Sequence, residues 1–247
     1  MYEDGPKAAD RFLVADEVGM GKTMVARGVI AGAIERLEND ADVDRIDVVY
    51  ICSIADIARQ NVAKLDVIGD GTRPLSTRIS MLATQIRDLN RQPPEGRKLV
   101  NLIAFTPGTS FSPGHSGGQV AERALLVHLL LPLVDHDQVD GLEDVFQGDV
   151  GDARWQRELE ALQLPDRGPD ADIAARFRTQ LDHDLLGRVV DLIGTWGEYL
   201  EPDRELRQRR AATIRDLRNH LSRVSIAALE PDLIILDEFQ RFKHLLQ

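Results

Sequence analysis

Eight residues, Asp16 to Thr23 (DEVGMGKT), lie between a short apolar run, Arg11 to Ala15 (RFLVA), and a stretch from Met24 to Leu37 that reads as a helix. This order predicts a strand, a glycine-bearing turn and a helix. Such a turn binds phosphate when successive backbone N–H groups point inward and glycines permit close approach. A lysine then reaches the outer phosphates and a hydroxyl reaches a magnesium ion. Gly19, Gly21, Lys22 and Thr23 supply these groups within the candidate loop Val18, Gly19, Met20, Gly21, Lys22 and Thr23. The usual pattern has a first glycine six residues before the lysine, and Asp16 stands there instead.

Outward from this loop the strand and helix pattern repeats. Arg45 to Cys52 (RIDVVYIC) is β-branched and apolar enough for a buried strand. Ser53 can cap a following helix whose stripe is Ile54, Ile57, Ala58 and Leu65. Leu99 to Thr106 and Asp232 to Asp237 read as two further strands, and Ser76 to Leu89 as helical, with a turn at Pro93 and Pro94. Alternating buried strands and helices predict an α/β fold with a mostly parallel sheet covered on both faces. Between the last two strands the chain reads as helix and loop. Helices are expected over Glu122 to Val134, Ile173 to Leu192 and Ala211 to Val224, with the stretch Gly148 to Asp172 as the loop-rich link. The expected division is residues 1–114 for the first part of the sheet domain, 115–230 for a helical insertion and 231–247 for the last strand with the ten residues after it.

Composition narrows the function. The 247 residues are 43% hydrophobic and 29% charged, which supports a folded core and excludes a disordered chain. Thirty Lys and Arg against 41 Asp and Glu give a net charge of −11, so nucleic-acid binding by bulk charge is disfavoured and any such contact is local. One cysteine, Cys52, excludes an internal disulfide and a cysteine-based metal site and suits a reducing, cytoplasmic setting. No secretory signal or membrane span is read in the sequence. The six histidines have no ligand-like spacing.

A second motif, DEFQ at Asp237 to Gln240, follows the apolar run DLIIL. A carboxylate at the C-terminal tip of a parallel strand sits at the edge where ligands bind in such sheets. Asp237 would hold magnesium through water and Glu238 would polarise the attacking water, since phosphoryl transfer needs positioning and charge neutralisation more than covalent chemistry. Alone, an Asp-Glu pair after an apolar strand also reads as a helix N-terminal charge pair. The GKT loop upstream favours the metal-binding reading.

Together these residues resemble the superfamily-two helicases and translocases, and within them the Swi/Snf-like subgroup. The subgroup's phosphate loop reads Asp-Glu-x-Gly-x-Gly-Lys-Thr, which Asp16 to Thr23 matches, including the missing first glycine. The resemblance makes DEFQ the second helicase motif, with Gln240 coupling ATP state to nucleic-acid grip. ICSIADIARQN, Ile51 to Asn61, looks like motif Ia, with Asn61 where a tryptophan is common. FTPGTSF, Phe105 to Phe111, is similar to motif Ib, though a Pro-Gly turn there is also ordinary. The resemblance implies the first RecA-like lobe of a P-loop NTPase that binds ATP and magnesium. It further implies movement on nucleic acid, DNA in preference to RNA, with a second RecA-like lobe. That lobe and the adenine-contacting glutamine are not seen, so the sequence reads as a fragment. Lys22, Glu238 and Gln240 carry the expected catalysis, and Thr23 and Asp237 the metal. Two alternatives stay open: a non-hydrolysing nucleotide-binding interaction module, and a P-loop NTPase outside the helicases.

The insertion carries one basic run, Arg204 to Arg218, with Arg204, Arg207, Arg209, Arg210, Arg215 and Arg218 against Asp203, Glu205 and Asp216. Such a helix can follow a duplex backbone, but a solvated helix face is the commoner outcome. Trp155 and Trp196 sit in helical patterns and are expected to pack between helices rather than stack on bases.

Overall fold

The computed structural model describes residues 21–52, 55–68, 75–76, 78–90, 96–105, 117–164, 166–196 and 202–237. The expected strand Arg11 to Ala15, the loop residues Asp16 to Met20, the Ser53 cap, the motif Ib turn Thr106 to Phe111, and Glu238 to Gln240 lie outside them. The chain divides into two compact units. One comprises residues 1–77, 90–109 and 230–247, and the other 78–89 and 110–229. The helical unit thus takes in 78–89, which the sequence reading leaves with the sheet.

The first unit is a mixed helix and strand arrangement around a parallel sheet, compatible with an α/β fold. Its described elements are α1 (Lys22–Glu38), β1 (Arg45–Cys52), α2 (Ala55–Leu65), β2 (Leu75–Ser76), β3 (Leu99–Phe105) and β4 (Leu233–Asp237). The strands lie in the order β2-β3-β1-β4, all parallel, and β2 is only two residues long. β1 is central and buried on both faces, with five consecutive buried residues from Ile46 to Tyr50, as a strand flanked on both sides requires. One sheet face carries Val48, Tyr50, Cys52, Leu102 and Ala104. These pack with Ile30 and Ile34 of α1 and Ala58, Val62 and Leu65 of α2, and Leu233 and Ile235 of β4 join them. Removing the side chain of a core residue such as Leu102 costs about 2–5 kcal/mol.

A polar clamp sets the register of β4 at the edge where the strands begin. The Asp47 backbone N–H donates to Asp232 Oδ2 at 2.7 Å, and Asp232 N–H donates to the Asp47 carbonyl at 3.0 Å. The Asp47 carboxylate is buried and accepts from Asn101 Nδ2 at 2.7 Å and Arg45 Nε at 2.8 Å. Burial raises its pKa, against the lowering effect of the Asn101 and Arg45 bonds. A one-residue slip of β4 would break the Asp232 bonds and exchange Leu233 and Ile235 on the packed face for Ile234 and Leu236.

The second unit is helical. After short 3-10 turns at Ile79–Met81 and Ile86–Asn90 that flank α3 (Leu82–Gln85), it contains α4 (Val120–Leu130), α5 (Val139–Gln147) and α6 (Asp152–Gln163). α7 (Ala171–Thr179), α8 (His183–Trp196) and α9 (Arg204–Leu229) complete it. α4 packs on α5 and α6, α5 on α8, and α9 on α7 and α8. Leu125, Phe146, Trp155, Phe177, Val189 and Leu217 are fully enclosed.

Several helical segments differ from expectation: α9 runs over Arg204–Leu229, beyond the expected Ala211 to Val224, and Ser76, expected in a helix, lies in β2, with 3-10 turns and the short α3 after it. The helix expected to reach Val134 ends at Leu130 and passes into a 3-10 turn at Leu131–Leu133, because Pro132 cannot supply the next backbone donor. The single helix expected from Ile173 to Leu192 breaks at Gln180 to Asp182, where the Asp182 carboxylate accepts from Asp184 N–H at 2.7 Å and starts α8. The stretch expected to be loop-rich, Gly148 to Asp172, holds the twelve-residue α6. Its Gly and Pro residues all lie outside that helix, while Trp155 and Leu162, seven positions apart, bury one stripe.

Candidate functional site

α1 begins abruptly. Gly21 precedes it in the left-handed conformation, φ 86° and ψ 15°, and no side chain among the described residues caps the helix. A left-handed glycine followed by helical residues turns successive N–H groups to one side and leaves the start of the helix open to an anion. Met24 and Val25 N–H close onto the Gly21 carbonyl at 2.8 and 3.1 Å, so the first turn is already built. No acidic residue lies in that turn to compete for it. Lys22 is exposed and Thr23 is half-buried.

The direction of α1 follows from its far end. Lys98, the residue before β3, donates from Nζ to the Leu37 carbonyl at 2.8 Å and also to that of Asp40. The C-terminal end of α1 is therefore at the edge where the strands begin. A helix of 17 residues is about 25 Å long, close to the span of an eight-residue strand. α1 packs on β1 and β4, so Gly21, Lys22 and Thr23 fall at the opposite edge, where the strands end.

Asp237 is the last residue of β4, paired in register with Cys52 at the end of β1. Its Oδ2 accepts from the Tyr50 hydroxyl at 2.5 Å and from Asn61 Nδ2 at 3.4 Å, and Asn61 Nδ2 lies 2.9 Å from the Tyr50 oxygen. Burial, reinforced by the bond to Asp237, raises the Tyr50 pKa and keeps the phenol protonated. The sequence reading names Asp237 but not Tyr50. It names Asn61 only as a departure from motif Ia. Tyr50 reads as a strand residue with a buried ring, and only its position two residues before the strand end hints at more.

A divalent ion fits this edge in chemical terms. A helix-start hydroxyl at Thr23 and a carboxylate whose bonds to described residues all fall on one oxygen are hard oxygen donors that leave room for water and phosphate. Among the described residues there is no group of three or more His, Cys, Asp or Glu able to hold a metal by itself, so such an ion would depend on a ligand's oxygens. The structure brings Gly21, Lys22, Thr23 and Asp237 to one edge. Val18, Gly19, Met20, Glu238 and Gln240 lie outside the described residues.

The basic run of α9 has a different fate from a phosphate-tracking stripe. Arg218 is buried and paired with Glu122, at 2.9 Å from Nη2 and 3.0 Å from Nε to Oε1. Arg210 donates to the Val145 carbonyl and, at 3.3 Å, to that of Phe146, with its guanidinium 5.3 Å from the centre of the Trp196 ring. Burial, with the Arg123 charge, lowers its pKa to about 10. Arg215 and Arg188 both pair with Asp216. Of the six arginines, Arg204, Arg207 and Arg209 are the exposed ones. Trp155 is fully enclosed. No helix among the described residues is long and apolar enough to cross a membrane. No protein-family model, curated protein or solved structure matches the chain.

Proposed function

We propose that the sheet unit is a nucleotide-binding, RecA-like lobe of an ATP-dependent helicase or DNA translocase of the Swi/Snf-like kind. The observation that carries this reading is the placement of a glycine-started helix bearing Lys22 and Thr23 at the same edge of a parallel sheet as the Asp237 carboxylate. Lys22 would neutralise charge on the outer phosphates. The Thr23 hydroxyl and Asp237 would hold a magnesium ion, which supplies charge neutralisation on the phosphate oxygens when bound. Glu238 would orient water for attack, and Gln240 would report nucleotide state to the nucleic-acid track. In the whole protein, a second lobe would complete catalysis and movement.

Titration calorimetry with magnesium and ATP on the chain and on Lys22→Ala tests the phosphate loop. The lost contact is charge-assisted, worth about 1.5–3 kcal/mol, so affinity should fall about ten- to a hundredfold. Equal affinity in both proteins would remove the assignment. Glu238→Gln keeps the shape of the side chain and should spare binding while stopping hydrolysis in the complete enzyme. Tight binding with no hydrolysis by a longer, two-lobed chain would favour the interaction-module alternative.

A further inference from the structure

We propose that Tyr50 and Asn61 are positioning residues for Asp237, holding its Oδ2 so that Oδ1 is presented to a nucleotide-bound divalent ion. This rests on the nucleotide-binding reading above and assigns it two residues that the motifs do not contain. Three elements converge on one oxygen. β1 supplies the Tyr50 hydroxyl, α2 supplies the Asn61 amide, and both approach Oδ2 of the residue that ends β4.

The bond pattern has a direction. Tyr50 donates its only proton to Asp237, and its oxygen in turn accepts from Asn61 Nδ2, so the amide fixes the hydroxyl rotor that fixes the carboxylate. An unrestrained aspartate at a strand tip would rotate about its side-chain torsions and lose conformational entropy on meeting the ion. With the chain of bonds in place, that restriction is already present in the fold. Groups that orient a ligand from behind commonly change metal affinity by one to two orders of magnitude when removed. A bond to the neutral Tyr50 hydroxyl leaves the aspartate charge in place for the metal. A lysine there would offset that charge.

The test follows binding of a fluorescent ATP analogue to the chain while magnesium is titrated, with a parallel arm in EDTA. The proteins compared are the wild type, Tyr50→Phe and Asn61→Ala. Expected are wild-type binding strengthened by magnesium and a half-saturating magnesium concentration about tenfold higher in Tyr50→Phe. A smaller rise is expected in Asn61→Ala, with affinity in EDTA unchanged in both. Unchanged magnesium dependence in both variants would overturn the proposal and leave the nucleotide site standing. Equal weakening with and without magnesium would also overturn it, since that is the mark of a merely structural contact. A wild type whose nucleotide binding ignores magnesium would overturn this proposal and the reading beneath it. If Tyr50→Phe fails to fold, Asn61→Ala decides alone, because Asn61 is only partly buried.

Discussion

Two carboxylates of this chain, Glu122 in the helical unit and Asp237 in the sheet unit, are held in opposite ways. In the helical unit, Glu122 is fully enclosed and its carboxylate is saturated. It accepts from Arg218, from Ser80 Oγ at 2.5 Å, from Arg78 at 3.3 Å and from the Gln119 N–H at 2.7 Å. Gly118, at φ +66°, makes room for it, since a Cβ there would lie 3.0 Å from Arg218 Cδ. In the sheet unit, Asp237 stands at a strand tip, only part-buried, and its bonds to described residues engage one oxygen. A saturated, enclosed carboxylate serves packing. A carboxylate held by one oxygen at the ligand edge of a parallel sheet has capacity left for another partner.

The most direct way to break this contrast is to remove one member of the enclosed pair. Glu122→Ala removes the enclosed carboxylate shared by Arg218, Arg78, Ser80 and the Gln119 N–H and should cost about 3–5 kcal/mol in a denaturant melt. A loss under about 1 kcal/mol would show that water or another group reaches Arg218. Lys22→Ala probes the other unit. Lys22 is exposed, so stability should stay within about 0.5 kcal/mol while nucleotide binding weakens by about 1.5–3 kcal/mol. Loss of stability without loss of binding would reverse the roles assigned to the two units.

A smaller effect sharpens the packing side. Gly148 ends α5 at φ +55°, and an added Cβ would sit 2.5 Å from Arg210 Nη2. Gly148→Ala should cost about 1–3 kcal/mol from its backbone conformation and should displace Arg210 from the Val145 and Phe146 carbonyls. Trp196 fluorescence should change with it, because the guanidinium 5.3 Å from the centre of its ring would move. An unchanged melt and spectrum would mean that the guanidinium simply moves aside.

The smallest effects distinguish the units by pH. Asp47, in the sheet unit, has a pKa raised above its ordinary 3.8, chiefly by burial. The native state holds that proton more tightly, so its stabilising contribution is full below 3.8 and is lost as pH rises through the folded value. His128, in the helical unit, has a pKa lowered from 6.5 by burial and by the Arg178 charge. Its contribution is full above 6.5 and is lost as pH falls through the folded value. Relative to Asp47→Asn, the wild type should lose stability as pH rises from about 4. Relative to His128→Gln, it should lose stability as pH falls below about 6.5. Slopes of the same sign in both comparisons would contradict these environments.

Strand and helix segments are legible because their signals are local. RIDVVYIC is a run of β-branched and apolar residues and forms the central strand over the same eight positions. The left-handed Gly21 before a helix is a property of three or four neighbouring residues, which is why GKT can be read without a fold. α6 is hidden in the sequence because the glycines and prolines around it outweigh the Trp155 and Leu162 stripe inside it. The α8 start is hidden because an N-cap aspartate, Asp182, lies inside an otherwise continuous apolar period.

By itself the sequence determined the three long strands β1, β3 and β4, the turn on Gly21 into α1, and that an aspartate ends β4. These are short-range matters of backbone sterics and side-chain period. Only the tertiary structure decided what that aspartate meets. Tyr50 and Asp237 are 187 positions apart, and Asn61 and Asp237 are 176 apart. Tertiary structure likewise decided that Arg218 turns inward to Glu122 across 96 positions instead of outward with its neighbours on α9. Composition reports how many charges a chain carries, but packing chooses which of them lose their water. That choice is settled by whether a partner of opposite sign or a free acceptor waits at the place where the backbone brings them together.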